Sequence, residues 1–247
     1  LVAIVAAKLA RRPADEERSF GWYRAEIIGA LVKGGFLLAM ALVVISMAAM
    51  RLSSPIDLPT GPMLIAAAGG LFTEFISLGL IWKQSKDDLN TKGALWHIIQ
   101  TFVGSLLIIV TALVIRYTGF LLIDPLLGMG FGFVLIWASW GILREAAHLL
   151  MEGTPPEVSL PEVSRALEAL EGVEDVHHAH AWALTSGRHV FSAHLRIAEG
   201  AHQHAILEEA HSQLRETFGF FFVTLQIETH CLDESGAEAI DLSAIEK

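Results

Sequence analysis

Four long apolar segments constrain the fold of this chain more than any other feature. They cover residues 27–50, 61–82, 93–115 and 119–143. A helix rises about 1.5 Å per residue, so each segment is long enough to cross about 30 Å of hydrocarbon. The 247-residue chain is 53% hydrophobic, which is too apolar for an ordinary soluble domain. We therefore predict a multi-span helical membrane domain. The shorter run at 1–10 is interpreted as the end of a further helix whose start would lie upstream of Leu1.

The composition changes after residue 153. A proline-rich linker, "GTPPEVSLPEV", leads into residues 154–247, which hold five Lys and Arg against sixteen Asp and Glu, and nine of the eleven histidines. We predict a transmembrane domain over 1–153 and a small acidic domain over 154–247. The membrane helices are expected at about 25–51, 61–82, 92–117 and 119–147. The acidic balance argues against a nucleic-acid partner, because such partners require positive charge.

In the second domain, the spacing of apolar residues changes from about 3.6 residues, the repeat of a helix, to about 2 residues, the repeat of a strand, and back. It predicts a helix over 161–171, a hairpin of 173–185 and 189–197, a helix over 203–218 and a strand over 221–229. This α-β-β-α-β order predicts a ferredoxin-like α+β domain, an open sheet with helices on one face. The stretch "VHHAHAWAL" in the first strand has no clean phase, so either set of alternating side chains could face inward.

The distribution of Lys and Arg among the loops predicts the orientation of the chain in the membrane. The segment 8–24 carries five Lys and Arg and 83–92 carries three, whereas the opposite turns offer Arg51 and Arg116. Cationic residues favour the cytoplasmic side. The acidic domain is therefore expected in the cytoplasm, and the single cysteine, Cys231, suits a reducing compartment. We expect a multi-pass protein of the plasma (inner) membrane, in contact with the lipid bilayer.

Ionisable residues inside membrane spans are costly and are functional candidates. Lys33 could extend toward the cytoplasm or pair with Glu74, which lies in the middle of its span. His97 and Thr101 share one helix face, where the histidine could be a packing residue or a ligand. Asp124 is most simply a helix cap.

Histidine is concentrated in the second domain. Six histidines fall near predicted strand or helix starts, at 177, 178, 180, 189, 194 and 204. Strand alternation places His194 and Glu228 on non-core faces. Imidazole and carboxylate are natural ligands of zinc and similar divalent ions, although scattered surface histidines are the simpler alternative. The pattern favours metal binding.

Several stretches carry a resemblance to a known family. In order along the chain they are "RSFGWYRAEIIGALV", "NTKGALWHIIQTFVGSLLIIVTALVI", "DPLLGMGFGFVLIWASWGILREAAHLLMEGTPPEV", "GVEDVHHAHAWALTSG" and "FVTLQIETHC". Together they resemble the cation diffusion facilitator family of divalent-metal/proton antiporters. The resemblance implies six membrane helices per subunit, a homodimer and a cytoplasmic ferredoxin-like domain. It also implies that the first helix, and the second-helix half of the metal site, would lie upstream of Leu1.

The resemblance assigns roles to individual residues. The His-x-x-x-Asp motif of the family corresponds to His97 and Thr101, and a threonine hydroxyl is a weaker, uncharged ligand than a carboxylate. The family usually has asparagine where Lys33 and Glu74 stand. The residues on or near metal-binding positions of the cytoplasmic domain are His177, His180, His194, His204 and Glu228.

Two functions follow as hypotheses. The first is a divalent metal transporter, zinc-like, in which a homodimer alternates its access and protons compete with metal for the same ligands. Here His97 would be the surviving ligand and Glu74 a substitute carboxylate. The second is a non-transporting, metal-responsive regulatory or interaction protein of the same fold, which Thr101 favours. An enzyme is not expected, because the sequence has no nucleophile elbow, phosphate loop or H-E-x-x-H pair.

Overall fold

The computed structural model describes residues 2–82 and 89–231, with side chains over 4–80 and 98–231. The elements are α1 (Val2–Ala10), α2 (Arg24–Ser53), α3 (Thr60–Trp82), α4 (Leu89–Thr118), α5 (Ile123–Leu150), α6 (Leu160–Glu168), β1 (Val173–Thr185), β2 (Arg188–Ile197), α7 (Gln203–Glu216) and β3 (Phe222–Glu228). Helices α2 to α5 contain segments long and apolar enough to cross a membrane, by length and composition. The predicted fold class, a multi-span helical membrane domain followed by a small α+β domain, is confirmed.

The chain divides into two compact units. One consists of Leu1–Gly34 with Gly141–Lys247 and the other of Gly35–Trp140. We call the second the membrane unit, because it holds most of the four long helices. The first holds the α+β domain together with the cytoplasmic ends of α2 and α5.

Within the membrane unit, α2 approaches α5 closely. A Cβ atom on Gly132 would overlap the side chain of Ile45, so glycine is required for this approach. Nearer the outer end, the carboxylate of Asp124 accepts a hydrogen bond from Arg51 at 2.8 Å. Asp124 was expected to act as a helix cap, but its side chain instead forms an ion pair between two helices.

The α+β domain is built on a three-stranded sheet with the order β1-β2-β3. Strands β1 and β2 are antiparallel, and β2 and β3 are parallel, because α7 carries the chain back to the starting end of the sheet. The helices contribute apolar side chains at helical spacing, as with Val163 and Leu167 of α6, and both are fully buried. They pack with Phe191, Leu195 and Leu214 in one core.

A segment preceding α2 packs on this domain, within the same unit. The guanidinium of Arg188 lies 4.5 Å from the ring centre of Tyr23 and 4.7 Å from that of Phe221. At the start of α2, Glu26 accepts a hydrogen bond from the Thr185 hydroxyl at 2.7 Å. The hairpin turn of β1 and β2 is thereby fixed to the cytoplasmic start of a membrane helix.

Candidate metal centre

Strand pairing brings the candidate ligands of the cytoplasmic domain together. His177 of β1 lies opposite His194 of β2, which in turn lies beside Gln226 of β3. Successive side chains of a strand alternate between faces, and the core takes Ala193 and Leu195. His194 therefore lies on the face away from the core, where the ends of the three strands meet.

A bulge in β1 adds a third imidazole. The register shifts between His177 and His180, and His178 has a φ of 50°, which is uncommon for a residue other than glycine. An extra residue in a strand turns one side chain to the other face. His177 and His178 therefore both face His194, with ring centres 5.0 to 5.4 Å apart.

Glu228 is the buried carboxylate of the cluster, with its side chain 4% exposed. Its Oε1 lies 2.6 Å from Nε2 of His177, and its Oε2 accepts a hydrogen bond from Gln226 at 3.1 Å. Burial by itself would raise the pKa of this carboxyl. The hydrogen bonds from Gln226 and His177 and the positive charge of His177 and His194 outweigh burial, so the pKa of Glu228 lies below its ordinary value. The group is therefore a carboxylate near neutral pH.

Two further groups contact His177. The thiol of Cys231 lies 3.5 Å from its Nε2, and the Asp175 carboxylate lies 3.0 Å from its Nδ1. A carboxylate on the second ring nitrogen orients a metal-binding imidazole and increases its basicity. Asp175 thus points the Nε2 of His177 toward Glu228 and Cys231.

This donor set fits a divalent ion. The ligand atoms of His177, His178 and His194 all lie within 4.8 Å of one another, as do those of His177, Glu228 and Cys231. A tetrahedral zinc ion about 2.0–2.3 Å from each ligand holds the ligands about 3.3–3.8 Å apart. The upper limit of 4.8 Å between the ligand atoms is about 1 Å above this spacing, and the buried carboxylate supplies the negative charge that a divalent ion requires.

The other two cytoplasmic candidates are not members of these ligand groups. His180 is exposed and lines a pocket of about 320 Å³ beside His178 and His194. His204 lies on α7, where its Nε2 is 3.3 Å from Glu208 and both side chains are exposed.

Sequence reasoning did not assign Asp175 or Cys231 to the site, and it counted His178 among the clustered histidines without assigning it as a ligand. The adjacent histidines His177 and His178 interrupt the alternation expected of a strand. The bulge itself can be recognised only from the pairing of β1 with β2.

The four intramembrane candidates lie on three of the membrane helices. Lys33 is an exposed residue of α2, in the unit that excludes Glu74, and its pairing with Glu74 stays a prediction. Glu74 of α3 accepts a hydrogen bond from Ser105 of α4 at 3.2 Å. Thr101 donates its hydroxyl to the carbonyl oxygen of Ile98 at 2.9 Å. His97 lies in α4, but its side chain lies outside those that the structure describes.

Apolar spans, a helical membrane domain and a carboxylate–imidazole cluster on a small α+β domain together define a multi-pass membrane protein whose cytoplasmic domain carries a donor set suited to a divalent ion. The family models agree with this class. The cation efflux transmembrane domain matches residues 1–151, and the cytoplasmic domain of cation efflux proteins matches residues 155–230. The chain belongs to the cation diffusion facilitator family.

Named relatives are similar over nearly the whole chain. The metal cation efflux system protein CzcD of Cupriavidus metallidurans is 31% identical over 237 residues, covering 96% of this chain and 75% of the relative. The cadmium, cobalt and zinc/H(+)-K(+) antiporter of Bacillus subtilis is 30% identical, covering 96% of this chain and 78% of the relative. The human proton-coupled zinc antiporter SLC30A2 is 32% identical, covering 97% of this chain and 68% of the relative.

Proposed function

We propose that this protein transports divalent metal ions, with zinc as the preferred cargo, and exchanges them for protons. It acts as a homodimer with alternating access, and the cytoplasmic cluster binds a regulatory zinc ion. The observation that carries the proposal is the pair of ligand groups that share His177, one of three imidazoles and one of an imidazole, a thiol and a buried carboxylate. They lie in a chain whose membrane spans also hold a carboxylate. The relatives named as metal efflux proteins and as a proton-coupled zinc antiporter support it.

Metal and protons are coupled through the ligands. Imidazole and carboxylate bind metal in their deprotonated forms, so zinc binding releases protons. Within the membrane we assign metal or proton binding to His97 and Glu74, and we keep Thr101 and Lys33 as further members of the site. In the cytoplasm we assign zinc binding to His177, His194 and Glu228, with His180 and His204 as the remaining candidates.

Zinc flux into liposomes that contain the purified protein tests this proposal. Removing either intramembrane group, by His97→Ala or Glu74→Gln, is expected to abolish zinc flux. Ser46→Ala is the matched control, because the Ser46 hydroxyl bonds to the Leu42 carbonyl of its own helix. Transport that survives both losses would overturn the assignment.

The second candidate function is a metal-responsive regulatory protein that does not transport. It is favoured by Thr101, which supplies no charge and donates its hydroxyl to the backbone of its own helix. For this function, the reconstituted protein would bind zinc through the Glu228 cluster and would move none across the membrane.

A further inference from the structure

A groove of about 940 Å³ lies between α1 and α2, in the unit that also holds the cytoplasmic domain. The two helices are in contact along it, because a Cβ atom on Gly29 would overlap the Cβ atom of Ala6. Trp182 and Leu184 of β1 also line it. We call this the α1–α2 groove, and its volume is in the range of ligand sites, about 300–1,000 Å³.

The helical walls of the α1–α2 groove are apolar. Val5 and Leu9 are one turn apart on α1, and Ile28 and Val32 are one turn apart on α2, so each pair lies on one face of its helix. Ile28 and Val32 belong to the spanning segment Arg24–Ser53 and are 51% and 50% exposed. Such walls are compatible with the acyl chain of a lipid. Any lipid-facing helix has this property, so the specificity of the groove depends on its cytoplasmic end.

The cytoplasmic end of the groove is formed by a loop in which two arginines share one indole ring. The guanidinium of Arg18 lies 4.1 Å from the ring centre of Trp22, and that of Arg12 lies 5.6 Å from the same ring centre. Both distances are within the range of a cation–π contact, about 6 Å. Arg24 and Glu152, which also line the groove, neutralise each other at 2.7 Å. Two positive charges therefore stand where the apolar walls end.

The backbone of this loop holds the two arginines together. Gly21 has a φ of 73°, and a Cβ atom there would lie 3.3 Å from the carbonyl oxygen of Arg12 and from the amide nitrogen of Ala14. The Gly21 amide also donates a hydrogen bond to the Arg18 carbonyl at 2.7 Å. Glycine is required where the two ends of the loop meet, and this closure keeps Arg12 beside the indole ring.

The positive charge at this end is only partly neutralised. Arg18 pairs with Asp15 and Glu17 through its Nη1 atom, so these pairs do not use its Nη2 and Nε atoms. Arg12 is exposed and has no ion pair within the part of the chain that the structure describes. Residues 8–24 hold five Lys and Arg against three Asp and Glu, whereas the whole chain has a net charge of −10. The loop is therefore a local site for an anion in an acidic protein.

We propose that the α1–α2 groove binds one anionic phospholipid of the cytoplasmic leaflet. The guanidinium groups of Arg12 and Arg18 bind its phosphate, and one acyl chain lies along the apolar walls. A guanidinium matches a phosphate group in geometry as well as in charge, and basic pockets beside membrane helices on the cytoplasmic side bind anionic headgroups. A soluble anion would contact the arginines and leave the apolar walls without a partner. The inference does not depend on metal transport, because no member of the metal cluster lines the groove.

Native mass spectrometry of the full protein, titrated in detergent with phosphatidylglycerol or phosphatidylcholine, counts the bound lipids. We expect each subunit to retain one phosphatidylglycerol and to bind phosphatidylcholine about tenfold more weakly. The double change Arg12→Gln and Arg18→Gln should lower the phosphatidylglycerol affinity by about tenfold or more. Equal affinity for the two lipids would overturn the inference. So would a wild-type protein that retains no phosphatidylglycerol, because protein rather than lipid would then fill the groove.

Two charge controls separate the cations from the shape of the loop. Arg165→Gln removes a positive charge from α6, where Arg165 bonds to the Pro161 carbonyl of its own helix at 3.1 Å, and it should leave lipid binding unchanged. Glu17→Gln breaks the ion pair with Arg18 but keeps the cation, so the phosphatidylglycerol affinity should stay the same or rise. A loss in Glu17→Gln as large as that of the double arginine variant would contradict the role of the cations.

The apolar walls distinguish a lipid from a free anion. Ile28→Trp places a larger side chain in the groove and should weaken phosphatidylglycerol binding. Val43→Trp is its control, because Val43 lies on the same helix outside the groove and is 50% exposed. Inorganic phosphate in excess should leave the phosphatidylglycerol bound. Displacement of the lipid by phosphate, or wild-type binding in Ile28→Trp, would assign the site to a free anion and overturn the lipid.

Discussion

At the scale of single residues, Glu228 has the largest predicted effect on the cytoplasmic site. It is the one carboxylate in the two ligand groups found among the described residues, and it is buried. Glu228→Gln keeps the shape and removes the charge, so we expect zinc affinity at this site to fall by about 100-fold or more. Isothermal titration of the full protein with zinc measures this.

The control for Glu228 is Glu208→Gln. Glu208 contacts His204 on the exposed surface of α7, so its change removes an equal charge from outside the cluster. We expect the zinc affinity of the Glu208 variant to match wild type. An equal loss of zinc affinity in the Glu228→Gln and Glu208→Gln variants would place the zinc site elsewhere on the domain.

Cys231 predicts a preference among metals. A thiolate is a softer ligand than imidazole or carboxylate and favours softer ions, and the Cys231 sulfur lies 3.5 Å from His177. We therefore expect Cys231→Ser to reduce cadmium affinity about tenfold more than manganese affinity. Competition titrations with the two metals measure the ratio, and a parallel change in both affinities would remove Cys231 from the ligand set.

Glu228 also predicts a dependence of stability on pH in the metal-free protein. Its folded-state pKa is lowered from the ordinary value of 4.5. A group with a depressed pKa stabilises the folded state above its unfolded pKa, and this stabilisation is lost as the pH falls through the folded pKa. The difference in melting temperature between wild type and Glu228→Gln should therefore shrink below about pH 4.5. A difference that stays constant from about pH 6 to about pH 3 would contradict this reasoning.

At the scale of elements, the spacing of apolar residues was sufficient to predict the order of helices and strands in the α+β domain. The α-β-β-α-β order was predicted because apolar residues recur at the helical or strand spacing, as with Val163 and Leu167. The phase of β1 was not predictable, since the bulge at His178 depends on pairing with β2. The same bulge decides which histidines converge, so the ligand set required the sheet register.

Helix packing in the membrane unit gives a prediction with an internal control. Gly132→Ala would place a Cβ atom against Ile45, whereas a Cβ atom on Gly130 meets no other atom within 4 Å. Overpacking of a tight contact costs about 1–3 kcal/mol, so Gly132→Ala should lower the free energy of unfolding. Gly130→Ala should leave it unchanged or raise it. Thermal unfolding in detergent measures the stability of both variants. Equal changes in stability would contradict the close approach of α2 and α5.

At the scale of the whole molecule, sequence patterns were sufficient to predict the fold class and the multi-pass membrane location, whereas individual side-chain contacts could not be predicted from them. Apolar length and the change in charge after residue 153 are properties of composition, and they persist whatever the tertiary contacts are. The partner of Glu74 is a property of one contact. Ser105 donates a hydrogen bond to Glu74, and a hydroxyl on a neighbouring apolar helix has no distinguishing pattern in the sequence. The pairing of Glu74 with Lys33 stays a prediction.

Metal accumulation driven by a proton gradient tests the central claim most directly. In liposomes that contain the wild-type protein, an imposed pH gradient should drive zinc toward the more acidic compartment, and a proton ionophore should abolish this movement. Zinc that binds to the protein but does not redistribute under the gradient would contradict metal/proton exchange and favour the regulatory function.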